Sequence, residues 1–182
     1  NIFDIEFFAI SDKDTVFNPT SHSYFNLNPK NRIIDDHRLK IYADKFLNIN
    51  ENFIPIGEFK NVNSTPFDFR KEKTIGSDLY KNVEQLNIAK GFDHCFILNK
   101  SQKIAAELSE LESGRLIQIF TDQPGIQLYS GNHLKGIFSK NQGLCLETQH
   151  FPNSPNVNLF PSTLLKANTD YYSKTSYHFK LI

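Results

Sequence analysis

Three short stretches carry side chains that could move protons or grip a hydroxyl-rich ligand. In Asn18-Pro19-Thr20-Ser21-His22-Ser23-Tyr24-Phe25-Asn26-Leu27 an imidazole stands among hydroxyl and amide groups. Such neighbours could orient His22 as a proton donor. They would equally satisfy a structural histidine in a turn. In Gly91-Phe92-Asp93-His94-Cys95-Phe96 a carboxylate sits at the mouth of an apolar run. Asp93 could cap a turn, or it could accept hydrogen bonds from ligand hydroxyls. In Gly143-Leu144-Cys145-Leu146-Glu147-Thr148-Gln149 an acid lies inside an apolar stretch. A carboxylate buried there without a partner is costly. Burial would also raise the pKa of Glu147 towards the range of a general base. An exposed strand face is the plainer alternative. The sequence contains no phosphate loop, no HExxH and no GxSxG, so no short motif declares a mechanism by itself.

The elements that must position these groups read mostly as strands. Leu39 and Ile41 alternate with polar neighbours, and Cys95 to Leu98 is an apolar run of strand length. Ile117 to Phe120 runs into Thr121-Asp122-Gln123-Pro124-Gly125, a turn signal. Tyr177, Phe179 and Leu181 alternate with polar residues, as do Phe3, Ile5 and Phe7. Two segments favour helix. Leu79, Val83 and Leu86 predict a short helix within 77–89, and Ile104, Leu108 and Leu111 give helical spacing over 103–112. Short strands broken by Asn, Pro and Gly predict a sandwich or barrel.

Composition narrows the field. A chain of 182 residues fits one domain with a sizeable core, which 17 Phe and 7 Tyr can fill. Lys plus Arg equals Asp plus Glu at 20 each, so no field of one sign draws in nucleic acid or an anionic membrane. No apolar run is long enough for a membrane-spanning helix. Cys95 and Cys145 lack the paired spacing of a zinc site and are read as buried free thiols, with a disulfide left open. The chain opens at Asn1 inside a strand pattern and contains no Met. That predicts a piece of a longer protein.

The clusters together resemble the aldose 1-epimerase family. Residues 18–27 resemble its N-x-T-N-H-x-Y-F-N-L, and residues 91–96 its G-x-D-H-x-F. TDQPGIQLYSGN at 121–132 resembles its T-x-x-P-G-x-Q-x-Y-x-G-N. CLETQ at 145–149, FPNSPNVNLFPSTLL at 151–165 and NVNSTPFDFR at 61–70 also fit. Pro19, Ser21 and His133 depart from the commoner residues. The resemblance implies an all-β, galactose-mutarotase-like β-sandwich, with strands rather than a helix around 103–120 and a turn at Glu112-Ser113-Gly114. It implies that residues 1–182 are the C-terminal portion of a single domain. The upstream half would add an Arg and a second His to the same pocket. It further implies a cofactor-independent, metal-free isomerase of free monosaccharides, cytoplasmic, with neither nucleic acid nor membrane as partner. His22 then resembles the general acid, Glu147 the general base, and Asp93 and Gln127 the ligands of sugar hydroxyls. Phe25 and Tyr24 are read as core. A non-catalytic carbohydrate-binding module and a sugar-phosphate epimerase remain alternatives. A structural β-domain would follow if His22 and Glu147 lay far apart.

Overall fold

The computed structural model describes residues 1–28, 30 and 33–182. Its strands are β1 (Ile2–Ala9), β2 (Thr15–Val16), β3 (Tyr24–Phe25), β4 (Arg38–Ile41), β5 (Ala43–Ile49), β6 (Pro55–Asn61) and β7 (Lys73–Thr74). After two short helices, α1 (Gly76–Leu79) and α2 (Glu84–Ala89), come β8 (Asp93–Leu98), β9 (Ala106–Glu110), β10 (Arg115–Thr121) and β11 (Gly125–Tyr129). The last strands are β12 (Leu144–Gln149), β13 (Leu164–Leu165) and β14 (Tyr171–Leu181).

Two six-stranded antiparallel sheets face each other. One runs β1-β14-β10-β9-β4-β7 and the other β3-β12-β11-β8-β5-β6, while β13 and β2 form a separate ribbon. Period-two alternation sends one side of each sheet into a shared core. Leu39, Ile41, Leu108, Ile117, Ile119 and Tyr177 enter from the first sheet, and Phe46, Phe96, Ile126, Leu128, Leu144 and Leu146 from the second. Phe67, Phe69 and Phe92 from the connections wedge between them. The Phe67 ring stacks on Phe46 at 4.1 Å between centroids.

The strands expected around 103–120 form from Ala106 onward, as β9 and β10, and the helical spacing there is overruled by packing. Leu108 is fully buried between neighbouring strands, whereas Leu111 is exposed in the turn. A helix would have placed both on one face. The helix expected within 77–89 forms as two pieces. Buried Asp78 pairs with Lys73 and Lys81 where α1 ends, and Val83 is extended before α2 begins. Leu79 and Leu86 both reach the core this way. At the sheet edge, β1 pairs with β14 along its length. Of its apolar residues Ile5 packs against the core, whereas Phe3 is exposed. Both cysteines are free and buried.

Candidate active site

The site lies on the face of the second sheet that points away from the shared core. On β12, Leu144 and Leu146 go inward, so Cys145 and Glu147 go outward. On β11, Ile126 and Leu128 go inward, which turns Gln127 and Tyr129 outward. On β8, Phe96 goes inward, which turns Asp93 and Cys95 outward. Register aligns these residues in two rows. Asp93, Tyr129, Cys145 and Tyr24 are cross-strand neighbours in sequence across the sheet, and so are Cys95, Gln127 and Glu147. None of these side chains is an Arg or Lys.

His22 arrives from a segment outside the sheet, and its polar neighbours pin that segment in place. The Asn18 side chain donates to the His150 carbonyl at 3.0 Å and accepts from the His150 N–H at 2.9 Å. The Thr20 hydroxyl donates to the Thr148 carbonyl at 3.0 Å. The segment is thereby anchored to the end of β12, one residue-pair away from Glu147. The His22 Nε2 lies 3.7 Å from Glu147 Oε1, and its Nδ1 lies 3.3 Å from Cys145 Sγ. The ring centroids of Tyr24 and Tyr129 stand 5.0 and 5.8 Å from the imidazole. The His22 side chain is 52% exposed and that of Glu147 only 10%. A half-open imidazole therefore covers a nearly closed carboxylate.

Two other features shape the face. Asp93 accepts a hydrogen bond from Gln127 Nε2 at 2.7 Å. Upstream of it, the Asn132 amide donates to the Ala89 and Phe92 carbonyls at 3.0 and 2.8 Å, and the Phe92 N–H donates to Ser130 Oγ at 2.9 Å. The backbone comes so close that a Cβ on Gly91, at φ +143°, would fall 2.2 Å from Asn132 Oδ1. At the other end of the face, Gly125 lets Cys95 and the Phe151 ring approach. A Cβ there would stand 2.9 Å from the Cys95 sulfur. Phe151, Phe160 and Leu47 close that end with apolar surface.

Electrostatics follow from this partial closure. Burial raises the Glu147 pKa. The His22 charge pulls it down, and Asp93 pushes it up further. Among the described residues no hydrogen-bond donor reaches the Glu147 carboxylate. Burial raises Asp93 as well, opposed by Gln127 and by His133 and His22. Desolvation, with nearby anionic groups, lifts the Tyr24 hydroxyl to about 12 and drives the Cys145 thiol upward. Both therefore stay protonated at neutral pH. His94, inside the same motif as Asp93, points the other way. It is fully buried, desolvation lowers it to about 3, and its Nε2 meets Gln85 Oε1 at 3.2 Å. It is a neutral core residue.

All four residues expected from the sequence thus share one face. Three neighbours were not anticipated. Tyr24, read as core, is 46% exposed and lies against His22, because the residue that follows it, Phe25, takes the inward position. Cys145 and Tyr129 sit two residues from Glu147 and Gln127, so strict alternation would have put them on the same face.

These features describe an antiparallel β-sandwich bearing an imidazole–carboxylate pair among polar and aromatic side chains. A sequence profile described as aldose 1-epimerase matches residues 1–178. The chain belongs to that family. It is 38% identical to a galactose mutarotase of Sus scrofa over 188 residues, 97% of this chain and 54% of that protein. It is 35% identical to an aldose 1-epimerase of Escherichia coli (strain K12) over 98% of this chain and 55% of the relative. Among solved structures, an aldose epimerase homologue from C. elegans superposes with a TM-score of 0.90 at 26% identity, covering all of this chain and 57% of that one. A galactose 1-epimerase from Lactobacillus acidophilus NCFM gives 0.88 at 31% identity, with 100% and 54% covered. The chain spans about half the length of the curated relatives it matches. No helix among the described residues is long and apolar enough to cross a membrane.

Proposed function

We propose that the protein interconverts the α and β anomers of free aldoses such as galactose or glucose. The observation that carries this reading is the 3.7 Å approach of His22 Nε2 to Glu147 Oε1, with burial raising the pKa of the carboxylate. O1 and O5 of a pyranose share carbon C1, so one acid and one base a few Å apart can reach both. Glu147 removes the proton of the C1 hydroxyl while His22 protonates the ring oxygen. The C1–O5 bond breaks and leaves the open-chain aldehyde. Rotation about C1–C2 offers the other carbonyl face, and the two groups reverse their roles. Asp93 and Gln127 bind sugar hydroxyls. Gln127 Oε1 is buried and has no hydrogen-bond partner among the described residues, so it can accept from a hydroxyl without breaking the bond to Asp93. The scheme moves only protons, and it needs neither redox cofactor nor metal.

The remainder of the relatives' length supports a further part of the proposal. Residues 1–182 form the C-terminal portion of one domain, and the upstream portion adds an Arg and a second His to the pocket. The protein works in the cytoplasm, where buried free thiols persist. A sugar-phosphate epimerase would want cationic groups beside the pocket, and the two side-chain rows contain none. The test is polarimetry of freshly dissolved α-galactose and α-glucose with the whole protein and no added cofactor. The decay of optical rotation accelerates if the proposal is right. A purely spontaneous rate with every common aldose would overturn it.

A further inference from the structure

We propose that His22, Cys145 and Glu147 form a site for one thiophilic divalent cation of the zinc class, and that this cation and the sugar exclude each other. One donor atom from each residue lies within 4.8 Å of the other two. The Cys145 Sγ to His22 Nδ1 separation of 3.3 Å is already close to a tetrahedral edge. Metal–sulfur and metal–nitrogen bonds of about 2.3 and 2.0–2.1 Å make that edge roughly 3.5 Å. Only the carboxylate must swing to complete a three-residue set.

The framework favours this set. Cys145 and Glu147 stand two apart on β12 and share a face. Pairing with Tyr24, Tyr129 and Gln127 holds both in register. The third ligand, His22, stands at the mouth of the site. The His22 side chain is half exposed, so its ring can tilt to admit an ion to the thiol beneath. Sulfur, imidazole and carboxylate together select a borderline metal over Mg2+ or Ca2+, which prefer all-oxygen shells. Three protein ligands leave a fourth position for water. Binding releases the thiol proton to solvent, so charge and protons balance without any redox partner. Exclusion of sugar rests on the proposed anomer chemistry, because the ion would occupy both the acid and the base. The cation site itself does not rest on that chemistry.

The probe is Cd2+, followed by its thiolate charge-transfer absorption in the ultraviolet. A band saturating at one ion per protein is expected. It should be lost in Cys145→Ser and retained in Cys95→Ser. His22→Asn, at a partly exposed position outside the sheet, should weaken binding at least about 10-fold, since even losing a residue that only orients a metal ligand costs about 10–100-fold. No band in the parent, or a band that follows Cys95, would overturn the site. In polarimetry of the whole protein, Zn2+ should raise the apparent KM for galactose without lowering kcat, and a chelator should reverse it. A cadmium band with no effect of Zn2+ on KM would overturn the exclusion. A protein inactive even without metal would instead sink the anomer reading and leave the cadmium result standing.

Discussion

Glu110 and Glu147 are both buried carboxylates on strands of the same sandwich, 3% and 7% exposed, and they are treated in opposite ways. Glu110 closes β9. Its oxygens accept the backbone N–H groups of Glu112 and Ser113 at 2.9 and 2.7 Å, in the turn that leads to β10. Burial alone would raise Glu110, but these bonds, with Ser113 and Asn28, hold it at about 2. Glu147 is likewise shielded from solvent but packed more deeply in the protein, and among the described residues it has no such donor. Its compensation is His22 at 3.7 Å, and burial prevails. One carboxylate is spent on holding a turn. The other is kept reactive, with lone pairs free for a proton from outside. Burial by itself therefore does not single out a candidate base, whereas burial without N–H donors beside a histidine is what the proposed role of Glu147 calls for.

The sharpest way to break this contrast is activity. Glu147→Gln keeps shape and removes the base. In the whole protein it should cost about 10²–10⁴ in rate, the usual contribution of a positioned acid or base, with sugar affinity within a few-fold. His22→Asn should do the same from the acid side. Glu110→Gln lies in the opposite sheet and should leave the rate within a few-fold. Near-parental turnover of Glu147→Gln by polarimetry would remove Glu147 as the base. The pH–rate profile should be bell-shaped, with its acid limb displaced upward from the ordinary glutamate range because Glu147 must ionise first.

Much of this contrast was legible in the residues and some was not. Alternation in Leu144-Cys145-Leu146-Glu147 and in Ile126-Gln127-Leu128 is local, so the outward face of both strands could be inferred. That Gln127 sits directly opposite Glu147 is a matter of register, which is set by long-range pairing. His22 and Cys145 meet across 123 positions, and no spacing rule connects them. The same limit explains Leu111. Its helical spacing with Leu108 was real in sequence, but neighbouring strands on both sides of β9 decided the outcome. The chain leaves the helical path over 80–83, where Asp78 pairs with Lys73 of β7 and with Lys81. The resemblance to a family supplied the roles of His22, Asp93, Gln127 and Glu147, because scattered polar residues alone stated no mechanism.

Stability offers the next test. Glu110→Gln exchanges a charged acceptor of two backbone N–H groups for a neutral one. Hydrogen bonds to charged groups are worth about 1.5–3 kcal/mol, and a loss of that size should show at neutral pH. For a chain of this length each kcal/mol moves the thermal midpoint by about 2–4 °C. The deficit should shrink as pH falls from the ordinary glutamate range towards about 2, where the folded carboxylate also gains its proton. A Glu110→Gln midpoint equal to the parent's at neutral pH would show that the turn does not need the charge.

The smallest expected effect has the opposite sign. Glu147 keeps its proton in the folded state to higher pH than in the unfolded chain. Between those two values the native state binds more protons, so stability falls as pH rises. The groups facing Glu147 modulate this without reversing it. His22 from the segment before β3 opposes the fall, while Asp93 from β8 adds to it. Cys95, Cys145 and Tyr24 face it as neutral groups, and Tyr177 approaches from the core side of the sheet, each with its own pKa raised. Glu147→Gln should therefore match the parent at acid pH, where both carry a neutral side chain. It should become the more stable protein above the folded pKa, by about 0.5–2 kcal/mol, the usual gain from a single stabilising substitution. Urea midpoints of the two proteins across that range measure the difference. If Glu147→Gln is the less stable protein at neutral pH, the His22 pairing outweighs desolvation. Glu147 would then be a structural carboxylate of the same kind as Glu110.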